Sequence, residues 1–161
     1  MLGYPGAGKT TIAKLISEKT GAVHLWADDE RHKMFGHPSH SEEESLELYD
    51  RLNQVVDKLL AEGKNVVFDT NFNHYHDREM LRELAAKHGA NTKLIWLTTP
   101  APVARDRAVH ANIVRNGYKF VMTGEEFDAI AQKFEPPRED EKAIKIDGVQ
   151  FDADDATRLI A

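Results

Sequence analysis

An α/β fold, an open parallel β-sheet flanked by helices on both faces, is what this 161-residue sequence predicts. Three observations predict it. Short apolar runs that read as strands alternate along the chain with segments of helical period. One of them, "TKLIWLTT", is a nearly continuous apolar run, as expected of a strand covered on both faces. A glycine-rich stretch near the start, "GYPGAGKT", leads directly into a helix.

Each element follows in order. "TTIAKLISEKTG" puts Ile12, Leu15 and Ile16 on one stripe and ends at Gly21, a C-terminal cap. "AVHLWADD" reads as a short buried strand and then a loop carrying Asp28 and Asp29. A short helix is expected over Arg31 to Phe35, broken by "GHPSHS". Ser41 and Glu44 form a capping box that opens a long helix to about Glu62, with Leu48, Leu52, Val55 and Leu59, together with Tyr49, Val56 and Leu60, keeping its period and Gly63 stopping it. "NVVFDTN" is a strand with polar residues at its C-terminal end. A helix from about His76 to His88 is expected to bury Met80, Leu81, Leu84 and Ala85. After the apolar strand, "PAPVARDRAVHANIVRNG" begins with prolines and ends in glycine, the punctuation of one helix. Thr123 and Glu126 cap a further helix ending near Phe134, "EPPREDE" turns, "AIKID" is the last strand, and a closing helix follows Asp154. Residues 1–161 read as a single domain with no internal repeat.

Composition bounds the function classes. The formal net charge is −6, against a surface coated for non-specific nucleic-acid binding. There is no cysteine, which excludes disulfides and cysteine–zinc sites, and no apolar run has the length to cross a membrane. With the glycine-rich loop at the very start, no signal peptide is expected and the cytoplasm is the expected compartment. The histidine pairs His37/His40 and His74/His76 lie in loops and lack the i, i+4 spacing of a helical zinc site.

The loop carries the chemistry. Its spacing is G-x-x-x-x-G-K-[ST], with Gly3, Gly8, Lys9 and Thr10 in the fixed places. Glycines let successive backbone N–H groups curl toward phosphate oxygens, and the helix that follows supplies further N–H groups and a partial positive charge. Gly3, Pro5, Gly6, Ala7, Gly8, Lys9, Thr10 and Thr11 are therefore the candidate ATP-binding residues. Lys9 reaches the β- and γ-phosphates, and the Thr10 hydroxyl sits on Mg²⁺. Asp69, closing the apolar strand "VVFD", reads as an acid that supports Mg²⁺ directly or through water, or as an inert strand-ending turn. A loop of this kind follows a buried central strand, yet only Met1 and Leu2 precede Gly3. The first strand is thus expected to be truncated, and the biological chain to start upstream.

At "LWADDERHKMFG" the sequence begins to resemble a family. The phosphate loop, the Asp-Asp-x-Arg stretch after one strand, "VVFDTN" at the next and an arginine-bearing helix after the third are similar to the P-loop kinases, in particular the group of polynucleotide 5′-kinases, zeta-toxins, chloramphenicol phosphotransferases and predicted AAA-domain kinases. The resemblance implies a catalytic Asp28 facing the acceptor hydroxyl, Arg31 contacting acceptor or phosphate, and Asp69 with Thr70 and Asn71 near the acceptor and the phosphate loop; a plainer reading makes Asp28 or Asp29 a helix cap, Asp29 being the one expected. It implies a lid over about residues 105–122 whose arginines close on ATP phosphates: Arg107 holds the matching position, Arg105 and Arg115 are alternatives, and a further family arginine falls on Ala111. Asp147-Gly148 lies where the nucleotide base packs in that family. A plainer reading keeps these arginines on the helix surface, paired with Asp106 and solvent. The expected activity is ATP- and Mg²⁺-dependent phosphoryl transfer to a hydroxyl of a small-molecule acceptor. A nucleic-acid 5′ end is the rival acceptor, and an ATP-binding switch or ATPase without an acceptor is the rival class.

Overall fold

Local sequence sets the first helix. Gly8 is its N-cap with φ 101°, a left-handed conformation strained for any residue with a side chain, and the chain turns from there into α1. The computed structural model describes residues 1–110, 114–115, 118–119 and 122–151, the two short pairs by their backbone. In chain order the elements are α1 (Lys9–Thr20), β1 (Val23–Trp26), α2 (Ala27–Phe35), α3 (Glu42–Ala61), β2 (Val66–Asp69), α4 (Tyr75–Lys87), β3 (Ile95–Leu97), α5 (Ala101–His110), β4 (Val114–Arg115), β5 (Tyr118–Lys119), α6 (Gly124–Gln132) and β6 (Ile144–Ile146). A single 3₁₀ turn, Glu139–Glu141, precedes β6.

β1 and β2 pair in parallel, as do β3 and β6. Met1 and Leu2 lie between these pairs. The Met1 nitrogen donates to the Phe68 carbonyl at 3.0 Å, the Leu2 nitrogen to the Ile95 carbonyl at 2.7 Å, and the Leu97 nitrogen to the Leu2 carbonyl at 2.8 Å. The spatial order is therefore β1, β2, Met1–Leu2, β3, β6, the open parallel sheet that the alternation predicted. Side-chain alternation along the strands divides the core. On one face Ile12, Ala13 and Ile16 of α1 pack with Val67, Ile95, Leu97 and Ile146. On the other, Leu48, Leu52 and Val56 of α3 pack with Leu25, Val66, Phe68 and Leu84. A third cluster joins Ala104 and Ala108 of α5 to Phe127 of α6, with Tyr4 of the phosphate loop against it.

Three expectations are corrected. α2 begins at Ala27, so Asp28 stands in its first turn rather than in a loop, and its N-cap is Trp26 with no side-chain cap. Asp29 is thus no cap; it pairs with Lys33 one turn on at 2.7 Å. Three acids in that turn, Asp28, Asp29 and Glu30, complement the helix N-terminus and let the helix start at the strand's end. The helix expected to reach Gly117 stops at His110, and β4 pairs antiparallel with β5. The sequence between them, Asn116-Gly117, is a strong two-residue hairpin signal, and β-branched Ile113 and Val114 disfavour helix. Met80, expected inside, is 40% exposed, while Arg78 on the same helix is buried. The helix expected after Asp154 lies outside the described residues.

Arg78 is buried because it is fully paired. Its Nε and Nη2 donate to the two carboxylate oxygens of Glu141 at 2.7 and 2.8 Å, and Nη1 donates to the Phe72 carbonyl at 2.9 Å. Arg82 adds a bond to Glu141 at 2.9 Å. This bidentate pair pins the chain just beyond Asp69-Thr70-Asn71, and so helps to position the site.

Candidate functional site

The phosphate loop, the start of α2, the end of β2 and α5 enclose a cleft of about 740 Å³. It opens beyond the C-terminal ends of β1 and β2, where open parallel sheets hold ligands. Pro5, Gly6, Gly8, Lys9, Thr10 and Thr11 line it on one side. Asp28, Arg31, Tyr49, Thr70 and Asn71 line the other, with Asp69 at the base and Arg107 on the α5 wall. Gly3 and Ala7 do not line it. They lie beneath the loop, Ala7 fully buried and its carbonyl accepting a bond from the Thr99 hydroxyl at 2.9 Å.

The loop is braced on every side. A Cβ on Gly6 would stand 2.2 Å from the Ala104 carbonyl oxygen, so only glycine lets the loop lie against α5. Tyr4 packs on Phe127 and Phe134, with ring centroids 6.0 and 4.9 Å away. The Lys9 ammonium donates to the Gly3 and Tyr4 carbonyls at 2.9 and 2.8 Å, curled over the loop that it serves.

Asp69, 2% exposed, is the deepest acid of the cleft. Burial by itself would raise its carboxyl. Hydrogen bonds from His24 and the Thr10 hydroxyl, with the Lys9 charge, overcome that and hold it below its ordinary value. It is thus an ionised carboxylate bonded to the hydroxyl that the loop motif assigns to Mg²⁺. A hard divalent cation needs oxygen donors of this kind, so the pair fits Mg²⁺.

Arg31 lines the cleft but is already engaged. Its Nη1 donates to Glu44 Oε1 at 2.5 Å and its Nη2 to the Ser45 hydroxyl at 3.1 Å, both carboxylate and guanidinium being largely covered. Glu44 also accepts from the Ser39 nitrogen and hydroxyl and from the His40 nitrogen. Burial opposes the Glu44 charge, but these donors hold its carboxyl down to about 2. Ser41 caps α3 through the Glu44 nitrogen as expected, but the Glu44 side chain turns to Arg31 rather than completing the box. Thr123 and Glu126 do complete theirs.

Asp28 contrasts with its neighbours. It is half-buried in the cleft wall, and among the described residues no side-chain hydrogen bond or ion pair holds its carboxylate. Of the candidate lid arginines, Arg107 donates to the Gly148 carbonyl at 3.0 Å, joining α5 to the loop after β6, and Arg105 pairs with Asp128 at 3.0 Å. The Arg115 side chain and Ala111 lie outside the described residues. Three contributors escaped the sequence reading: His24 on Asp69, Glu44 on Arg31, and Tyr49, whose hydroxyl bonds that of Thr70 at 2.7 Å. Tyr49 was legible only as an apolar helix position, and Glu44 only as half of a capping box.

The protein family described as "AAA domain" matches residues 1–137. The chain belongs to this family. A shikimate kinase from Persephonella marina (strain DSM 14350 / EX-H1) is 28% identical over 110 residues, 66% of this chain and 64% of that protein. The chain therefore spans a little under two thirds of the length of this relative. Among solved structures, the APS kinase CysC of Mycobacterium tuberculosis in complex with AMPPNP and APS superposes with a TM-score of 0.68 at 18% identity, over 99% of this chain and 92% of that one. A putative kinase from Chloroflexus aurantiacus j-10-fl gives 0.73 at 16% identity, over 99% and 94%. At these identities the superpositions establish the fold, that of P-loop kinases. Among the described residues no helix is long and apolar enough to cross a membrane.

Proposed function

We propose that this protein is an ATP- and Mg²⁺-dependent kinase that phosphorylates a hydroxyl of a small-molecule acceptor. The single observation that carries the reading is the position of Asp28: a carboxylate with no side-chain partner among the described residues, in the same cleft as a phosphate-binding loop. Its neighbours Asp29, Arg31 and Asp69 are all committed to partners.

In this scheme the loop N–H groups and the Lys9 ammonium hold the β- and γ-phosphates, and Thr10 with Asp69 holds the cation, which neutralises phosphate charge when bound. Asp28 aligns the acceptor hydroxyl and takes its proton. The acceptor oxygen forms a bond to the γ-phosphorus as the bond to the β–γ bridging oxygen breaks, and ADP leaves. Arg107, on α5, is the candidate to meet charge on the transferred group. The cleft volume, about 740 Å³, is in the range for a nucleotide tail and a compact acceptor, which favours a small molecule over a nucleic-acid end.

The test is ADP release across a panel of hydroxyl acceptors. Acceptor-dependent turnover is expected, and Asp28→Asn should lower it by about 10²–10⁴-fold with ATP affinity retained. Tight ATP binding with no turnover above background for any acceptor would make the protein a switch instead. Equal turnover in the Asp28 variant would remove its catalytic role.

A further inference from the structure

The buried acid of the cleft has a partner that neither the loop motif nor the family resemblance supplies. His24 and Asp69 stand on adjacent parallel strands: His24 pairs in register with Val67, and Trp26 with Asp69. His24, Trp26, Val67 and Asp69 therefore share one face, the one on which Val67 packs against the cluster that holds Ile12, Ala13 and Ile16 of α1. Across that face His24 Nε2 lies 3.1 Å from Asp69 Oδ2. Because the carboxylate is ionised and only accepts, Nε2 carries the hydrogen, which fixes the tautomer.

The imidazole is itself held. Its ring lies nearly parallel to that of Trp26, 7° between planes and 6.2 Å between centroids. The Trp26 indole is 6% exposed and lies under the Lys14 ammonium at 5.2 Å, so α1 covers the pair. The His24 side chain retains 16% exposure against 2% for Asp69. Thr10 and His24 thus approach one carboxylate from two elements, Thr10 from the helix that follows the loop and His24 from the neighbouring strand. A carboxylate at the end of a strand rotates about its last bond unless a hydrogen bond to one of its oxygens restrains it. The bond to Oδ2 removes that freedom and leaves Oδ1 outside the His24 contact.

We propose that His24 is a positioning residue: by donating to Asp69 Oδ2 it sets the carboxylate plane in which Asp69 supports the magnesium ion of the nucleotide. It touches neither substrate nor cation. The proposal rests on the reading of Asp69 as the magnesium-supporting acid. Groups that orient a metal-supporting carboxylate are worth about 10–100-fold in metal affinity or activity when removed, which sets the expected scale.

The test compares His24→Leu, which keeps bulk and removes the donor, with His24→Gln, which keeps an amide donor, and uses Asp69→Asn as the reference. The readout is the magnesium concentration needed for half-maximal binding of an ATP analogue by calorimetry, with manganese paramagnetic resonance as a second reading and circular dichroism as the fold control. In His24→Leu the magnesium requirement should rise by about 10-fold, with metal-free nucleotide affinity unchanged within about twofold. His24→Gln should recover most of the loss. If Asp69→Asn shifts the requirement and both His24 variants match the wild type, His24 only fills space and the proposal falls. If Asp69→Asn itself causes no shift, the magnesium reading of Asp69 falls and takes this proposal with it, whereas acceptor-dependent ADP release would still stand. Should His24→Leu fail to fold, His24→Phe, a planar ring without a donor, takes its place: a magnesium requirement raised about 10-fold there and restored in His24→Gln supports the donor, and wild-type dependence in both rejects the proposal.

Discussion

The two walls of the cleft are built differently. On the phosphate wall every part is committed: Gly6 against α5, Ala7 to Thr99, Lys9 to the loop carbonyls, Asp69 to His24 and Thr10. On the wall proposed to meet the acceptor, one ion pair, Arg31 with Glu44, organises the connection between α2 and α3, and beside it Asp28 has no side-chain partner among the described residues. His40 closes that connection in a left-handed backbone conformation, φ 56°, which histidine adopts more readily than most residues with a side chain. Under the proposed function the difference separates two tasks. Triphosphate is the same in every turnover and rewards a rigid mould, whereas an acceptor is recognised by the few groups still able to bond it.

The largest expected effects fall on turnover, at Asp28, by about 10²–10⁴-fold, and at Lys9. Lys9→Ala should lower turnover by about 10²–10³-fold, the usual cost of one preorganised charge-stabilising donor, and should weaken nucleotide binding as well. Asp28→Asn must behave otherwise, with turnover lost and nucleotide binding kept; equal losses of affinity in both variants would erase the distinction between the walls. Gly6→Ala comes next. Its methyl group meets the Ala104 carbonyl, so a destabilisation of about 1–3 kcal/mol is expected in urea unfolding, together with weaker ATP binding. Smaller still is Ser41→Ala, which removes the α3 cap on the acceptor wall and should cost about 1 kcal/mol of stability without altering the nucleotide affinity.

Acid should reach the acceptor wall before neutral pH affects it. Glu44 and Glu141 each titrate at about 2 in the folded chain, against an ordinary value of 4.5. Between those values the unfolded chain binds protons that the folded chain refuses. The stability from both groups is therefore complete above about pH 5 and is lost as pH falls toward 2. Urea unfolding from pH 6 to 2 should show that decline, and Glu44→Gln should flatten it. A decline unchanged in Glu44→Gln would assign it elsewhere.

Much of this molecule was legible in its residues. The loop spacing needs no tertiary information, because glycine, lysine and threonine act through backbone and charge within eight residues. Strand alternation and the period of α3 gave the sheet and its helices for the same reason. What stayed hidden depends on partners distant in sequence. Nothing local marks His24 as the partner of Asp69, 45 residues away, or Arg78 as the partner of Glu141, 63 residues away. Met80 holds a helical position as apolar as Leu84, yet the space inside was taken by that ion pair. The early end of α5 was written in Asn116-Gly117, a hairpin signal overshadowed by the proline at the helix start. Asp28 was recognised by its place in the motif order, but its helical setting was not.

Glu44 serves two masters at once, as counter-ion to Arg31 and as anchor of the turn through Ser39 and His40. A redesign that sought to recruit Arg31 for a negatively charged acceptor, by neutralising Glu44, would also untie that turn. If the proposed activity holds, changing acceptor preference toward anions therefore demands paired substitutions, one to release the guanidinium and one to rebuild the bend, and single-site libraries will miss the route.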